Sequence, residues 1–342
     1  MPASGSFIME QTIPEIFPDG KRYNTFVGYY RRVYGERLQK LVLDAGFTCP
    51  NRDGTRGYGG CSFCDNAAFH PSYSISGKSL AAQIDEGIGF HKVRYRNARH
   101  YLAYFQSYSN TYAPLPRLKD LYLEALSHPD VVGLVIGTRP DCVDEEKLDW
   151  IAGLQEGKWT DGWYREGFRT PVIKIEYGIE SCYDRTLLRV GRGHDVAAAV
   201  KAVNLTAERG IDTGAHFILG LPGETREMLV DQCAFINSLP LHSVKFHQLQ
   251  IVKGTRMEKE FRECPEDFLQ MDLPEYIDFV IDILERLRPE LLIERVAGEV
   301  PPRFVNEARW GLVRNFEILH MLDSRLEFRN TWQSRLYEPA RH

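Results

Sequence analysis

The chain has 342 residues, 43% of them hydrophobic and 26% charged, and a formal net charge of −5. That balance excludes wholesale disorder, and the length suffices to bury a core without disulfides, as one large domain or two small ones. No run of eighteen apolar residues is present to cross a membrane, the opening residues lack the charged-then-apolar order of a secretory signal, and the odd count of seven cysteines points to a reducing, cytoplasmic setting.

Residues 1–36 read as an N-terminal extension ahead of the first strand. They include a basic, aromatic-rich stretch from Arg22 to Tyr34. Short β-branched runs then alternate with longer helical patterns. The order is strand Leu38–Leu43, helix Leu80–Tyr95, strand Tyr101–Phe105, helix Leu118–Leu126, strand Val131–Ile136 and helix Glu145–Gln155. It continues with strand Val172–Tyr177, helix Asp195–Glu208, strand Thr213–Leu219, helix Arg226–Leu239, strand Val244–Val252 and helix Glu275–Arg286. Residues 37–290 thus form the core. Residues 291–342 form a C-terminal extension with a candidate strand Leu292–Val296 and a helix Phe304–Leu322. Six strand-then-helix units argue for a parallel sheet, either an open doubly wound sheet or a full or partial barrel. In either, functional residues gather beyond the C-terminal ends of the strands.

The charge is unevenly spread. Residues 1–115 carry 13 Lys/Arg against 9 Asp/Glu, whereas the remainder carries 29 against 38. A second basic stretch, His91 to His100, holds Lys92, Arg94, Arg96 and Arg99. Basic surface with aromatic rings suits phosphates and unstacked bases, although a single such stretch is more often a solvated helix face.

Three cysteines, Cys49, Cys61 and Cys64, lie within sixteen residues after the first strand, spaced C-x11-C-x2-C around a loop with four glycines. Thiolates so grouped ligate zinc or an iron–sulfur cluster. With His70 as a fourth ligand the set suits zinc; without it, a cluster keeps one iron free to chelate a small molecule. The spacing alone leaves both open. The position, in the loop after the first strand of a βα series, is that of an active-site loop.

The segment Leu43–Gly54 containing Cys49, followed by Gly59-Gly60-Cys61-Ser62-Phe63-Cys64, resembles the YhcC/YtqA-like radical SAM family, related to the radical SAM domain of the elongator catalytic subunit. Further motifs follow in order: Tyr104–Tyr112, Gly137–Asp141, Glu176–Ser181, Gly191–His194, His216–Glu224, Lys245–Gln250 and Gly254-Thr255. The resemblance spans roughly residues 22–320. It implies a partial (β/α)6 TIM-like radical SAM barrel with N- and C-terminal extensions. It also implies a [4Fe–4S] cluster on Cys49, Cys61 and Cys64, whose free iron takes the amino and carboxylate groups of S-adenosylmethionine. One electron then yields a 5′-deoxyadenosyl radical.

By the same resemblance, Gln106 and Ser107 follow strand two where the amino group of S-adenosylmethionine is received. Glu180 and Arg192 face its polar groups, His216 stands near its ribose, and the backbone around Gly220 lies beside its adenine. Glu224 can begin the next helix. Cys142 and Cys182, near the barrel mouth, are candidates for hydrogen donation or redox work, with packing as small hydrophobes the commoner role. The implied reaction is modification of the C5 side chain of a tRNA wobble uridine, with an electron donor such as flavodoxin or ferredoxin and no membrane. The alternatives are a radical SAM enzyme acting on a small metabolite, and a non-catalytic zinc-dependent RNA-binding protein.

Overall fold

The computed structural model describes residues 12–92, 98–305, 310–311 and 313–339. Its strands are β1 (Gln39–Leu43), β2 (Tyr101–Phe105), β3 (Val131–Thr138), β4 (Val172–Glu180), β5 (Asp212–Leu219), β6 (Ser243–Gln248) and β7 (Leu292–Arg295). They form one sheet in chain order, every neighbouring pair parallel. The six expected strands are all present, and the candidate strand of the C-terminal stretch adds a seventh beside β6. The helices are α1 (Phe26–Tyr34), α2 (Leu80–Lys92), α3 (Leu115–Ser127), α4 (Glu145–Gln155), α5 (Asp184–Arg189), α6 (Val196–Ala207), α7 (Arg226–Ser238), α8 (Arg256–Glu263), α9 (Leu273–Leu284) and α10 (Asn315–Phe328). Side chains of Asp144, Asp195, Thr225, Thr255 and Asp272 each accept an N–H of the first turn, which starts α4, α6, α7, α8 and α9 where they start.

Two expected elements differ. The strand expected to reach Val252 leaves the sheet after Gln248, and Val252 instead bridges Val305. The helix expected from Phe304 begins at Asn315, where the Arg314 N–H donates to Glu317 Oε2 at 2.8 Å, and it runs on to Phe328. Residues 306–309 and 312 of that expectation lie outside the described residues, as do Tyr95, Arg94 and Arg96.

Alternation along each strand sorts the side chains to two faces. Leu41, Leu43, Phe105, Leu134, Ile175, Tyr177, Phe217 and Phe246 point outward into the main core under the helices. The inner face is layered. At the strand starts lie Leu38, Leu102, Val132, Val172 and Leu292, packed with Phe26 and Tyr30 of α1 in a second core. The N-terminal segment is held there by a bridge of Thr25 to Ile293, with the Ile293 N–H donating to Asn24 O at 2.8 Å.

The aromatic-rich stretch is therefore a plug and not a base-binding surface. Tyr30 is 1% exposed, Tyr34 stacks on Phe168 with ring centroids 5.3 Å apart, and only Arg31, Arg32 and Val33 stand outward. An aromatic side chain gains more from burial than from solvent, which is why the rings turn inward and the arginines outward.

Above the plug lies a layer of buried charge: Lys40 of β1, Lys174 and Glu176 of β4, Lys245 of β6 and Glu294 of β7. Lys40 Nζ donates to Glu176 Oε1 at 2.5 Å and to Glu294 Oε2 at 2.6 Å. Lys245 pairs with Glu176, and Lys174 pairs with Glu294. Ser243 Oγ accepts from Lys174 at 2.5 Å and donates to Glu294 at 2.6 Å. Burial alone would raise the Glu176 carboxyl, but Lys245, Lys40 and Lys174 more than offset it and hold it well below the usual carboxylate range. Lys40 and Glu294 sit on the two edge strands, so their ion pair draws the sheet into a curl.

Glu176→Gln keeps the shape but leaves three ammonium groups around a neutral amide. The expected cost is about 3–5 kcal/mol of unfolding free energy, read as a lower urea midpoint than wild type.

Candidate functional site

The strands end on one side, and the loops there converge. The loop after β1 starts with Asp44, whose N–H donates to Gln83 Oε1 of α2 at 2.9 Å, while Asp44 Oδ1 accepts from the Gly46 N–H at 2.9 Å. It then wraps on itself: the Arg52 N–H donates to Cys49 O at 2.8 Å, the Gly60 N–H to Asn51 O at 2.9 Å and the Cys64 N–H to Cys61 O at 3.1 Å. Asn51 Nδ2 fastens this loop to the turn after α5, donating to Gly191 O and Arg192 O at 2.8 Å each. Gly193 is needed for that approach. It has φ +74°, and a Cβ there would stand 2.3 Å from Asn51 Oδ1.

Cys49, Cys61 and Cys64 line one cavity of about 250 Å³, the first two buried and the third half-buried. Gln106, Glu180, Arg192 and His216 line the same cavity. Arg192 spans it: Nη1 lies 3.5 Å from Cys61 Sγ, Nη2 donates to Gly178 O at 2.5 Å and stands 3.6 Å from Glu180 Oε1. A Cβ at residue 178 would lie 2.5 Å from Glu180 Oε1 and 2.6 Å from Arg192 Nη2, so a side chain there would push these two ends out of their present places. Glu180 itself has φ +74°, a strained conformation for a side-chain-bearing residue, at a register shift between β4 and β5. Burial raises its carboxyl above the ordinary range, with Arg192 and Arg139 opposing. His216 Nε2 lies 3.0 Å from Glu176 Oε2, and burial followed by the Lys245 ammonium pulls it down to about 4, so the ring is neutral at pH 7.

Ser107 and Gly220 do not line this cavity. Ser107 is 1% exposed and its Oγ bonds His70 Nε2 at 2.8 Å; Gly220 packs beside Leu269, whose Cβ would be 3.6 Å from a Cβ at that glycine. Among the described residues no three Cys, His, Asp or Glu side chains draw together as a single ion requires. Zinc needs its sulfur and nitrogen ligands all within about 2.3 Å of one point. A four-iron cluster takes soft thiolate donors and carries negative charge, and the three thiols on one cavity, each with an arginine nitrogen 3.5 to 3.9 Å from its sulfur, are a donor set of that kind. Cys142 is 5% exposed with burial pushing its thiol up to about 12, and neither it nor Cys182 lines the cavity.

The sequence reading assigned no role to Arg52, Arg139, Lys245, His247 or Arg295, all of which line the cavity. Arg52, Arg139, Lys245 and His247 fall within motifs already quoted, Arg139 and His247 at the ends of β3 and β6, which was the available signal. A larger cavity of about 1160 Å³ adjoins and shares Tyr104, Gln106, Lys245, His247 and Arg295 with the first. It runs along the open side of the sheet, between Lys40 and Val42 of β1 and Glu294 of β7.

A curled parallel sheet with a cysteine-bearing loop beyond its first strand is the architecture of radical SAM enzymes. Residues 49–236 match the Radical SAM superfamily and residues 241–327 the Radical_SAM C-terminal domain; the first match alone covers over half the chain, which therefore belongs to the radical SAM superfamily. The chain is similar to the Bacillus subtilis (strain 168) protein YtqA, 33% identical over 324 residues, 93% of this chain and 94% of that one. It is also similar to the Escherichia coli (strain K12) protein YhcC, 34% identical over 282 residues, 81% of this chain and 84% of that one. In fold it resembles the archaeal Methanocaldococcus infernus Elp3 with an N-terminal deletion, at TM-score 0.64 and 14% identity; the match covers 86% of this chain and 64% of that one. The cofactors of the superfamily are a [4Fe–4S] cluster and S-adenosylmethionine. No described helix is long and apolar enough to cross a membrane.

Glu224 does not serve as a helix start. Thr225 caps α7, and the Glu224 carboxylate turns inward to accept from Ser181 Oγ at 2.5 Å, joining the loop after β5 to the residue beside Glu180. Burial raises this carboxyl from 4.5 to about 7, with the Ser181 hydrogen bond opposing. The folded state thus binds the extra proton between these values, and its contribution, complete below pH 4.5, is lost as pH rises through about 7. Glu224→Gln is expected to remove a loss of the order of 3 kcal/mol across this window, read by comparing urea midpoints at pH 5 and pH 8.

Proposed function

We propose that Cys49, Cys61 and Cys64 hold the [4Fe–4S] cluster and that the cavity beside them receives S-adenosylmethionine. The observation that carries this is the convergence of the three cysteines with Gln106, Glu180, Arg192 and His216 on one cavity at the C-terminal strand ends. When bound, the two cofactors supply a carbon-centred radical that abstracts hydrogen from an unactivated carbon. The protein's share is placement and exclusion of water. In this reading Arg192 pairs with the methionine carboxylate, and Glu180, held in its strained conformation, accepts from the amino group. Neutral His216 presents its ring toward the ribose, with Glu176 fixing its orientation. Gln106 reaches from the end of β2.

The substrate, in this reading, is a C5-substituted uridine at the wobble position of tRNA, and the protein works in the cytoplasm with a low-potential donor such as flavodoxin or ferredoxin. Two observations support the RNA substrate over a small metabolite. More distant relatives carry the name tRNA uridine(34) acetyltransferase, among them one from Dehalococcoides mccartyi (strain CBDB1), 24% identical over 200 residues, 57% of this chain and 39% of that one. The larger cavity also leaves the sheet open along its side, and Arg37, Arg295 and Arg314 line it, the charge that phosphates need. The plugged aromatics of α1 take no part in this reading. RNA contact falls instead to the cavity rim.

Two results are expected. Anaerobically reconstituted protein is brown and forms 5′-deoxyadenosine with dithionite, and Cys49→Ala, Cys61→Ala and Cys64→Ala each lose iron and this activity; tightly bound zinc without cleavage refutes the cluster reading. In a deletion strain, nucleoside analysis of total tRNA finds the substituent of the wobble uridine altered. Unchanged wobble uridines rule out the RNA substrate while leaving the cluster intact.

A further inference from the structure

Each of the three cysteines has an arginine of its own. Arg52 Nη2 lies 3.6 Å from Cys64 Sγ, Arg139 Nη1 lies 3.9 Å from Cys49 Sγ, and Arg192 Nη1 lies 3.5 Å from Cys61 Sγ. Cys61 also receives Asn51 Nδ2 at 3.4 Å. These guanidinium groups come from separate parts of the chain: the cysteine loop itself, the end of β3, and the turn after α5. Each is also anchored independently of the sulfur. Arg52 Nη2 donates to Cys64 O at 3.1 Å and its guanidinium lies over the Tyr108 ring, 5.5 Å from the centroid. Arg139 is 2% exposed, forms a two-pronged pair with Asp141 at 2.8 Å for each contact, and donates from Nη1 to Arg192 O at 2.7 Å. Arg192 faces Glu180.

The charges differ in how far they are already balanced. Asp141 partners Arg139 and Glu180 partners Arg192, whereas among the described residues no carboxylate pairs with Arg52. The ordinary loop arginine is solvated. Arg52 is instead half-buried against a thiol, and its positive charge is the least offset of the three.

Resting on the reading that these cysteines hold the cluster, we propose that Arg52, Arg139 and Arg192 form a cationic cage, one guanidinium per thiolate, that raises the reduction potential of the cluster, with Arg52 carrying the largest uncompensated share. Three thiolates give an oxidised cluster a net charge near −1, and the electron that reduces it takes this to about −2. A fixed cation beside the sulfurs is attracted more strongly to the reduced state, and hydrogen bonds to sulfur act in the same direction. Arg52 and Arg139 are positioning residues in this role, acting through the thiolates, while Arg192 also meets the methionine carboxylate. The cage makes one-electron reduction by a flavodoxin- or ferredoxin-class donor, or by dithionite in the assay, more favourable before S-adenosylmethionine binds.

The test is a potentiometric titration of the reconstituted full chain without S-adenosylmethionine, followed by the electron paramagnetic resonance signal of the reduced cluster, with iron and sulfide measured on each sample. Arg52→Gln and Arg52→Met are expected to lower the reduced-to-oxidised ratio at a given poise by about tenfold, equivalent to about 59 mV for a one-electron couple. Arg52→Lys, which keeps the charge, is expected to stay within about threefold of wild type. Loss of iron from both neutral variants with retention in Arg52→Lys also supports the cage, since charge and not shape then decides whether the anionic cluster is held. Full iron with a wild-type midpoint in both neutral variants overturns the proposal, as does loss of iron from Arg52→Lys. A wild-type chain that takes up no iron and sulfide overturns the cluster reading as well, which separates the two failures.

Discussion

The ion pairs among Lys40, Lys174, Lys245, Glu176 and Glu294 are the constraint on which the rest of the molecule depends. A half-barrel has no hydrogen-bonded ladder between its first and last strands, and nothing in the backbone obliges β1 and β7 to face one another. Lys40 does so by reaching both Glu176 at 2.5 Å and Glu294 at 2.6 Å. Burying charge is costly unless each group is paired and hydrogen-bonded. Ser243 and Tyr104 meet that condition here, Ser243 between Lys174 and Glu294 and Tyr104 Oη 3.3 Å from Lys245 Nζ. The layer also governs what lies beneath it. The Phe26 ring stands 4.5 Å from Lys40 Nζ and 4.8 Å from Lys174 Nζ, so the helix that plugs the barrel is seated against the same cations that set the curl.

The upper side of this layer is the floor of the site. Glu176 accepts from Lys40 and Lys245 below and meets His216 above, so the orientation of a ring in the cavity follows from charges on β1 and β6. The other wall is set by backbone irregularity. The register shift after Gly178 and the left-handed Glu180 re-aim a strand-end side chain that regular pleating would have pointed elsewhere. Strain of this kind persists only where the surroundings over-determine it. They do so here through the Arg192 hydrogen bond to Gly178 O and through Ser181, buried against Glu224.

What the sequence disclosed, and what it concealed, follows from the range of the interactions. Parallel strands covered on both faces read as apolar runs, so β2 and β3, buried along their whole length, were legible, as was the cysteine spacing within one loop. Lys174, Glu176 and Lys245 interrupt such runs, and their partners on other strands lie 40 to 141 residues away, so no local pattern marks them as a layer. The stretch Arg22–Tyr34 misled for the same reason: whether its rings face solvent depends on Phe168 and Leu292, far along the chain. Glu224 had a plausible local role as a helix start, and the distant Ser181 claimed it instead. Arg52 and Arg139 fall within quoted motifs, but their pairing with sulfur is set by the fold.

The two cavities give this arrangement a direction. The strand starts are closed by α1, and the strand ends are covered by the cysteine loop, which is tied to the turn after α5 through Asn51 and to α8 through the Met257 N–H donating to Ser62 O at 2.9 Å. That leaves the side between β1 and β7, where the larger cavity lies. Lys40 and Glu294 pair across this gap, and they do so deep, at the level of the charge layer. The larger cavity carries Arg37, Arg295 and Arg314 on its lining, lies beside Lys40 and Glu294, and meets the cysteine cavity at Tyr104, Gln106 and His247, which belong to both spaces. The same ion pairs that curl the sheet thus also fix how far it closes, and the half-barrel they hold leaves the cysteine cavity continuous with a space several times its volume.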